Sequence, residues 1–207
     1  DEATACLAKY APAVRRRRPQ GLGVGLWMSA RALADGASDA DRVDELSAWL
    51  RSEEIVVYTM NAFPFGNFHA ERVKQEVYRP DWQRADRADY TLRAAELLAR
   101  LLPDGVGGSI STLPCAYGGD HPADRDMSIY FPMLIRIAKE LAAIESRTGK
   151  SIRLAIEPEP ACAIETTDQL ISFFQSLWRT TDSSPDARAV RKHLGVCFDV
   201  CHQAVEY

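Results

Sequence analysis

Two stretches decide the fold: IRLAIEPEP at residues 152–160 and LGVCFDVCH at residues 194–202. Side chains alternate along a strand. Leu154 and Ile156 therefore share one face of the first stretch, while Arg153, Ala155 and Glu157 share the other. In the second, Val196, Phe198 and Val200 fall on one face and Gly195, Cys197 and Asp199 on the other. Each strand has one large apolar face and one small-to-polar face. A barrel strand has this character, because large residues pack outward on helices and the inner face narrows toward a polar mouth. An open doubly wound sheet more often carries apolar residues on both faces. The phase favours a barrel.

Outward from these stretches the chain alternates between two periods. Strand-like runs lie at about 22–29, 55–61, 106–112, 152–157 and 194–199. Helical spacing joins them through Val43, Leu46 and Leu50, then Leu92, Ala95, Leu98 and Leu102, then Leu134, Ile137, Leu141 and Ile144. A fourth helix runs through Leu170, Phe173, Phe174, Leu177 and Trp178, and Thr166 with Gln169 has the form of a capping box before it. Strand following helix implies a parallel sheet. Residues 179–192 are polar enough for a mobile connection, and Arg15 to Arg18 suit the negative end of a first helix. No linker or repeat divides the 207 residues, so a single domain is expected.

Composition excludes several classes. The net charge is -4, with 46% hydrophobic and 26% charged residues, which gives no broad positive field for a nucleic-acid backbone. No apolar run reaches the roughly 20 residues of a membrane span, so direct membrane insertion is not expected. Five scattered cysteines, Cys6, Cys115, Cys162, Cys197 and Cys201, fit reduced thiols in a cytoplasmic setting. Cys197 and Cys201 have the wrong spacing for a zinc or redox pair, and are read as small buried residues.

Function in α/β barrels gathers where strands end at their carboxyl termini. Glu157 and Asp199 end successive strands in the inner-face phase. If those strands are neighbours about 4.8 Å apart, both carboxylates face one opening and can share a divalent cation. Magnesium or manganese would suit two hard oxygens, and zinc becomes suitable with an imidazole. His202 follows three residues after Asp199 and is placed for the same ion or for a substrate hydroxyl. Plainer roles exist for each: Asp199 as the cap of a following helix, Glu157 as a solvated loop residue. Pro158 and Pro160 stiffen the loop. Glu159 shares the phase of Glu157, so the pattern leaves open which of the two is the ligand.

Other motifs fail. In GLGVG at 21–25 a dinucleotide fingerprint needs a third glycine where Leu26 stands, and GGSIS at 107–111 has Ser111 where a nucleophile elbow needs glycine. His121 lies in a loop and reads as solvated.

RLAIEPEPACAIETTDQL followed by LGVCFDVCHQAVEY resembles the xylose isomerase-like TIM barrels, the sugar (phosphate) isomerase/epimerase superfamily. NAFPFGNFHAERVKQEVYRPDW, GSISTLPCAYG and IEPEPACAIETT are similar to one branch, the EboE-type metabolite traffic proteins. The resemblance spans nearly the whole chain. It implies a (β/α)8 TIM barrel whose metal is held by Glu, Asp, His and Glu from four late strands. Glu157 matches the first ligand and Asp199 the second. His202 matches a histidine that contacts substrate, and Glu165 a second acidic substrate contact. The last two ligands have no counterpart in this sequence, and one strand would precede residue 1. The expectation is therefore an incomplete barrel, from about the first helix to the sixth strand.

The chemistry implied is proton transfer beside a carbonyl through an enediolate, with a divalent cation polarising the carbonyl and a carboxylate moving the proton. Glu157 is the candidate catalytic carboxylate. The loop 62–82, with Phe63, Phe65, Phe68, His69, Tyr78 and Trp82, would wall the mouth or simply pack on the helices, and His69 and Arg72 offer contacts to phosphate or hydroxyl. The partner expected is a small-molecule substrate or metabolite. The EboE likeness implies a different alternative, a metabolite-binding or trafficking protein with a vestigial metal site. A DNA endonuclease of the same superfamily would want more than four histidines and a cationic face.

Overall fold

The structure is a computed structural model that describes residues 2–18, 20–36, 39–66, 76–120 and 126–206. Five strands, β1 (Leu22–Trp27), β2 (Ile55–Asn61), β3 (Gly108–Thr112), β4 (Ile152–Ile156) and β5 (Leu194–Val196), are all parallel and lie side by side in chain order. Helix α1 (Glu2–Arg15) precedes β1. Helices α2 (Ala30–Gly36) and α3 (Ala40–Ser52) join β1 to β2, α4 (Ala85–Leu101) joins β2 to β3, and α5 (Phe131–Thr148) joins β3 to β4. Helices α6 (Thr167–Thr181) and α7 (Ala187–His193) lead into β5, and α8 (Val200–Gln203) follows it. Parallel strands in sequential order, each reached through helix, build an incomplete (β/α)8 barrel.

The outward faces of the central strands form the core. Val57, Ile110, Leu154 and Ile156 are fully buried with Leu98 of α4 and Leu134, Ile137 and Leu141 of α5. Each such side chain contributes about 1.5–3 kcal/mol over leaving it in water. The capping box forms: Thr166 Oγ1 accepts the Gln169 N–H, and Gln169 Oε1 accepts the Thr166 N–H at 3.1 Å. Helix α5 stops at Gly149, whose φ of 72° lies in the left-handed region. The β1–β2 register slips between Val24 and Gly25, which leaves Tyr58 as the extra residue of a bulge. Its ring lies over Gly23, where a Cβ would come within 2.5 Å of Tyr58 Cε2.

Four expectations are corrected. The first strand stops at Trp27 and the third starts at Gly108, each two residues short of its expected end. The fifth ladder ends at Val196, because Asp199 leaves the sheet to start α8. Residues 179–192 are largely helical. Val190 and His193, three apart on α7, are buried, and His193 Nδ1–H donates to Ile152 O at 2.8 Å. Finally, the row on β5 expected to pack under helices is open to solvent, with Val196, Phe198 and Val200 exposed by 43%, 58% and 68%. Among the described residues no helix lies over it. The basic run falls as expected, with Arg15 ending α1 and paired to Glu54, and Arg16 to Arg18 exposed.

Candidate metal centre at the ends of the fourth and fifth strands

Glu157 follows β4 directly and stays in its ladder, since its N–H donates to Thr112 O at 3.0 Å. Cys197 does the same for β5, donating to Ile156 O at 2.9 Å. Two residues later Asp199 turns the chain, and its Oδ1 accepts the Cys201 N–H at 2.7 Å to cap α8. The helical turn then carries His202 back over the strand ends. Its Nε2 lies 3.5 Å from Asp199 Oδ2 and its Nδ1 3.7 Å from Glu157 Oε1. One ligand atom from each of Glu157, Asp199 and His202 lies within 4.8 Å of the others.

This set fits a divalent cation. Ligands at about 2.0–2.2 Å from one ion stand about 3–4 Å from each other, the range found here. His202 Nδ1–H also points at Pro158 O, 3.3 Å away, which leaves the Nε2 lone pair for an ion. Burial pushes the Glu157 carboxyl above its usual range; His202 pulls it back and the Asp199 charge pushes it further up. Asp199 is held below the usual range, chiefly by the Cys201 N–H. Burial lifts the Cys197 thiol, beside Glu157, to about 11.

Glu159 lies apart from this cluster. Its Oε1 accepts the Tyr78 hydroxyl at 3.2 Å, and burial raises its pKa. Glu165 Oε1 accepts the Ala161 N–H at 2.6 Å, while Gln203 Nε2 of α8 donates to the Glu165 carbonyl at 2.8 Å. Glu165 thus ties the loop after β4 together. His69 and Arg72, together with Phe68 and His121, lie outside the described residues.

The aromatic loop divides between the two roles open to it. Phe63 and Tyr78 meet edge to face at 5.2 Å, and Tyr78 and Tyr117 lie 5.3 Å apart, a wall beside Glu159. Trp82 instead belongs to the core, fully buried and donating to Thr112 Oγ1 at 3.2 Å, and Phe65 packs on Tyr90 at 5.3 Å. The cysteine reading is corrected: Cys197 is half-buried and Cys201 exposed, because Cys201 sits on the open side of α8.

Sequence reasoning missed Arg87. Its guanidinium is wholly buried, with Nε donating to Pro80 O and Nη1 to the carbonyls of Ala62 and Phe63, each at 2.8 Å. Burial lowers its pKa to about 10. In ADRADYTL it reads as one more exposed helical charge. The Tyr78–Glu159 contact spans 81 residues and leaves no local signal.

No family model matches the chain, and no curated protein sequence does. Solved structures share its fold. The IOLI protein with a binding zinc atom is 15% identical, with a TM-score of 0.54 over 97% of this chain and 62% of that one. The 3-keto-D-glucoside 4-epimerase YcjR from E. coli is 17% identical, with a TM-score of 0.55 over 100% of this chain and 66% of that one. An AP endonuclease, family 2, from Brucella melitensis is 14% identical, with a TM-score of 0.54 over 94% and 64%. The class defined by the fold is the incomplete (β/α)8 barrel of xylose isomerase-like type. This chain spans less than two thirds of the length of each of these structures.

Proposed function

We propose that the protein is a divalent-metal-dependent isomerase or epimerase of a sugar or sugar phosphate, of the EboE-type branch, with residues 1–207 forming one partial barrel domain in the cytoplasm. The observation that carries this reading is the convergence of Glu157, Asp199 and His202 at the same end of two adjacent strands. The zinc named for one structural neighbour and the epimerase named for another support it. The net charge of -4 sets aside the endonuclease chemistry named for a third.

A bound cation, manganese, magnesium or zinc, would supply Lewis-acid polarisation of the substrate carbonyl, which acidifies the neighbouring C–H. The chain's residues do the rest. Glu157 and Asp199 hold the ion, and Glu157, desolvated at the mouth, takes up and returns the proton at a carboxylate oxygen. His202 orients a substrate hydroxyl or joins the ligands. Glu165, His69 and Arg72 are the remaining assigned substrate contacts. A second reading, a metabolite-binding protein with a vestigial ion site, is favoured by the apolar wall of Phe63, Tyr78 and Tyr117.

Elemental analysis of the purified protein tests the two. About one divalent ion per chain, lost in Glu157→Gln and in Asp199→Asn while both variants stay folded, supports the isomerase reading. A folded wild-type protein without affinity for any divalent ion moves the assignment to metabolite binding.

A further inference from the structure

The sequence Glu-Pro-Glu at 157–159 puts two carboxylates on one strand end, yet only Glu157 joins Asp199 and His202. Glu159 is near enough to feel the charges of His202, Glu157 and Asp199. Its backbone is fixed: the N–H donates to Ile164 O, the carbonyl accepts the Cys162 N–H, each at 3.2 Å, and prolines flank it. The side chain is its one free part, and Tyr78 Oη–H holds that side chain at 3.2 Å. Tyr78 is itself held between Phe63 and Tyr117, so its hydroxyl has little freedom to follow a moving carboxylate.

We infer that Tyr78 is a positioning residue that keeps Glu159 out of the ion site, so that the cation is held by two carboxylates and an imidazole rather than by three carboxylates. The inference rests on the metal-centre reading above. Its chemical consequence is a choice of ligand set. Two carboxylates neutralise a divalent ion and leave coordination positions for the oxygens of a neutral substrate. A third would make the site anionic, fill one of those positions and shift preference from zinc toward harder oxygen-loving ions.

The test is a double-mutant cycle on ion affinity, with Mn2+ as the probe and calorimetry as the readout. Tyr78→Phe keeps the ring packing and removes only the O–H. It is expected to tighten Mn2+ binding about tenfold, the scale on which partners of metal ligands act. It should also lower by about one the waters on bound Mn2+, read by proton relaxation, a change that loosened packing would not cause. In the Glu159→Gln background, Tyr78→Phe should alter neither quantity.

Mn2+ affinity within twofold of wild type in Tyr78→Phe would overturn the inference, as would equal tightening in both backgrounds. Glu157→Gln separates the two possible failures. If it abolishes Mn2+ binding while Tyr78→Phe changes nothing, the metal centre stands and only the role of Tyr78 falls. If wild type and Glu157→Gln both fail to bind Mn2+, the metal centre falls and the inference with it.

Discussion

At the scale of single residues, Arg87 is the most heavily committed charge in the chain. It lies wholly inside the protein and spends its hydrogen bonds on three backbone carbonyls, those of Ala62, Phe63 and Pro80. Those carbonyls belong to the segment after β2 and the segment before α4, the two flanks of the aromatic wall. Arg87→Leu would leave them buried without donors, and the expected cost is about 3 kcal/mol, since hydrogen bonds to charged groups and orphaned buried acceptors are both expensive. Urea unfolding of the variant checks this; a loss under about 1 kcal/mol would mean that water or other donors replace the guanidinium. Glu157 and Asp199 were legible in sequence because alternation along a strand is local and fixes their shared phase. The environment of Arg87 was not, because all three of its acceptors come from outside its own helix.

At the scale of elements, α7 shows how a short polar helix is kept. Glu145 near the end of α5 pairs with Lys192, and the same carboxylate stands 3.4 Å from His193 Nε2. The Lys192 hydrogen bond is the largest cause holding the Glu145 carboxyl below its ordinary value of 4.5. A carboxyl depressed in the folded state adds stability that is complete above its unfolded value and is lost as pH falls through the folded one. Glu145→Gln should therefore flatten the fall of stability with acid below about pH 4.5, measured as unfolding midpoints across pH, and an unchanged acid limb would remove the pair from the account. The four long helical patterns and the five strand cores were readable from periodicity. Helices α2, α7 and α8 were not, because four to seven residues give too few repeats for a period to register. Residues 179–192 were misread for the same reason: two buried positions, Val190 and His193, sit among arginines and a lysine.

At the scale of the whole molecule, the five-stranded sheet carries an apolar row, Val196, Phe198 and Val200, that water reaches. Contiguous exposed apolar surface beside an unpaired strand edge invites association. The chain of residues 1–207 should self-associate with rising concentration, and Phe198→Lys should shift sedimentation toward monomer; identical sedimentation of the two would show that the row is not the contact. The same architecture also orders the making of the site. Every strand pairs with its predecessor in the chain, so as synthesis proceeds each new strand meets a partner already in place. Glu157 is set down with the fourth strand, but Asp199 and His202 arrive only after the fifth, so the ability to hold an ion is among the last properties a nascent chain acquires.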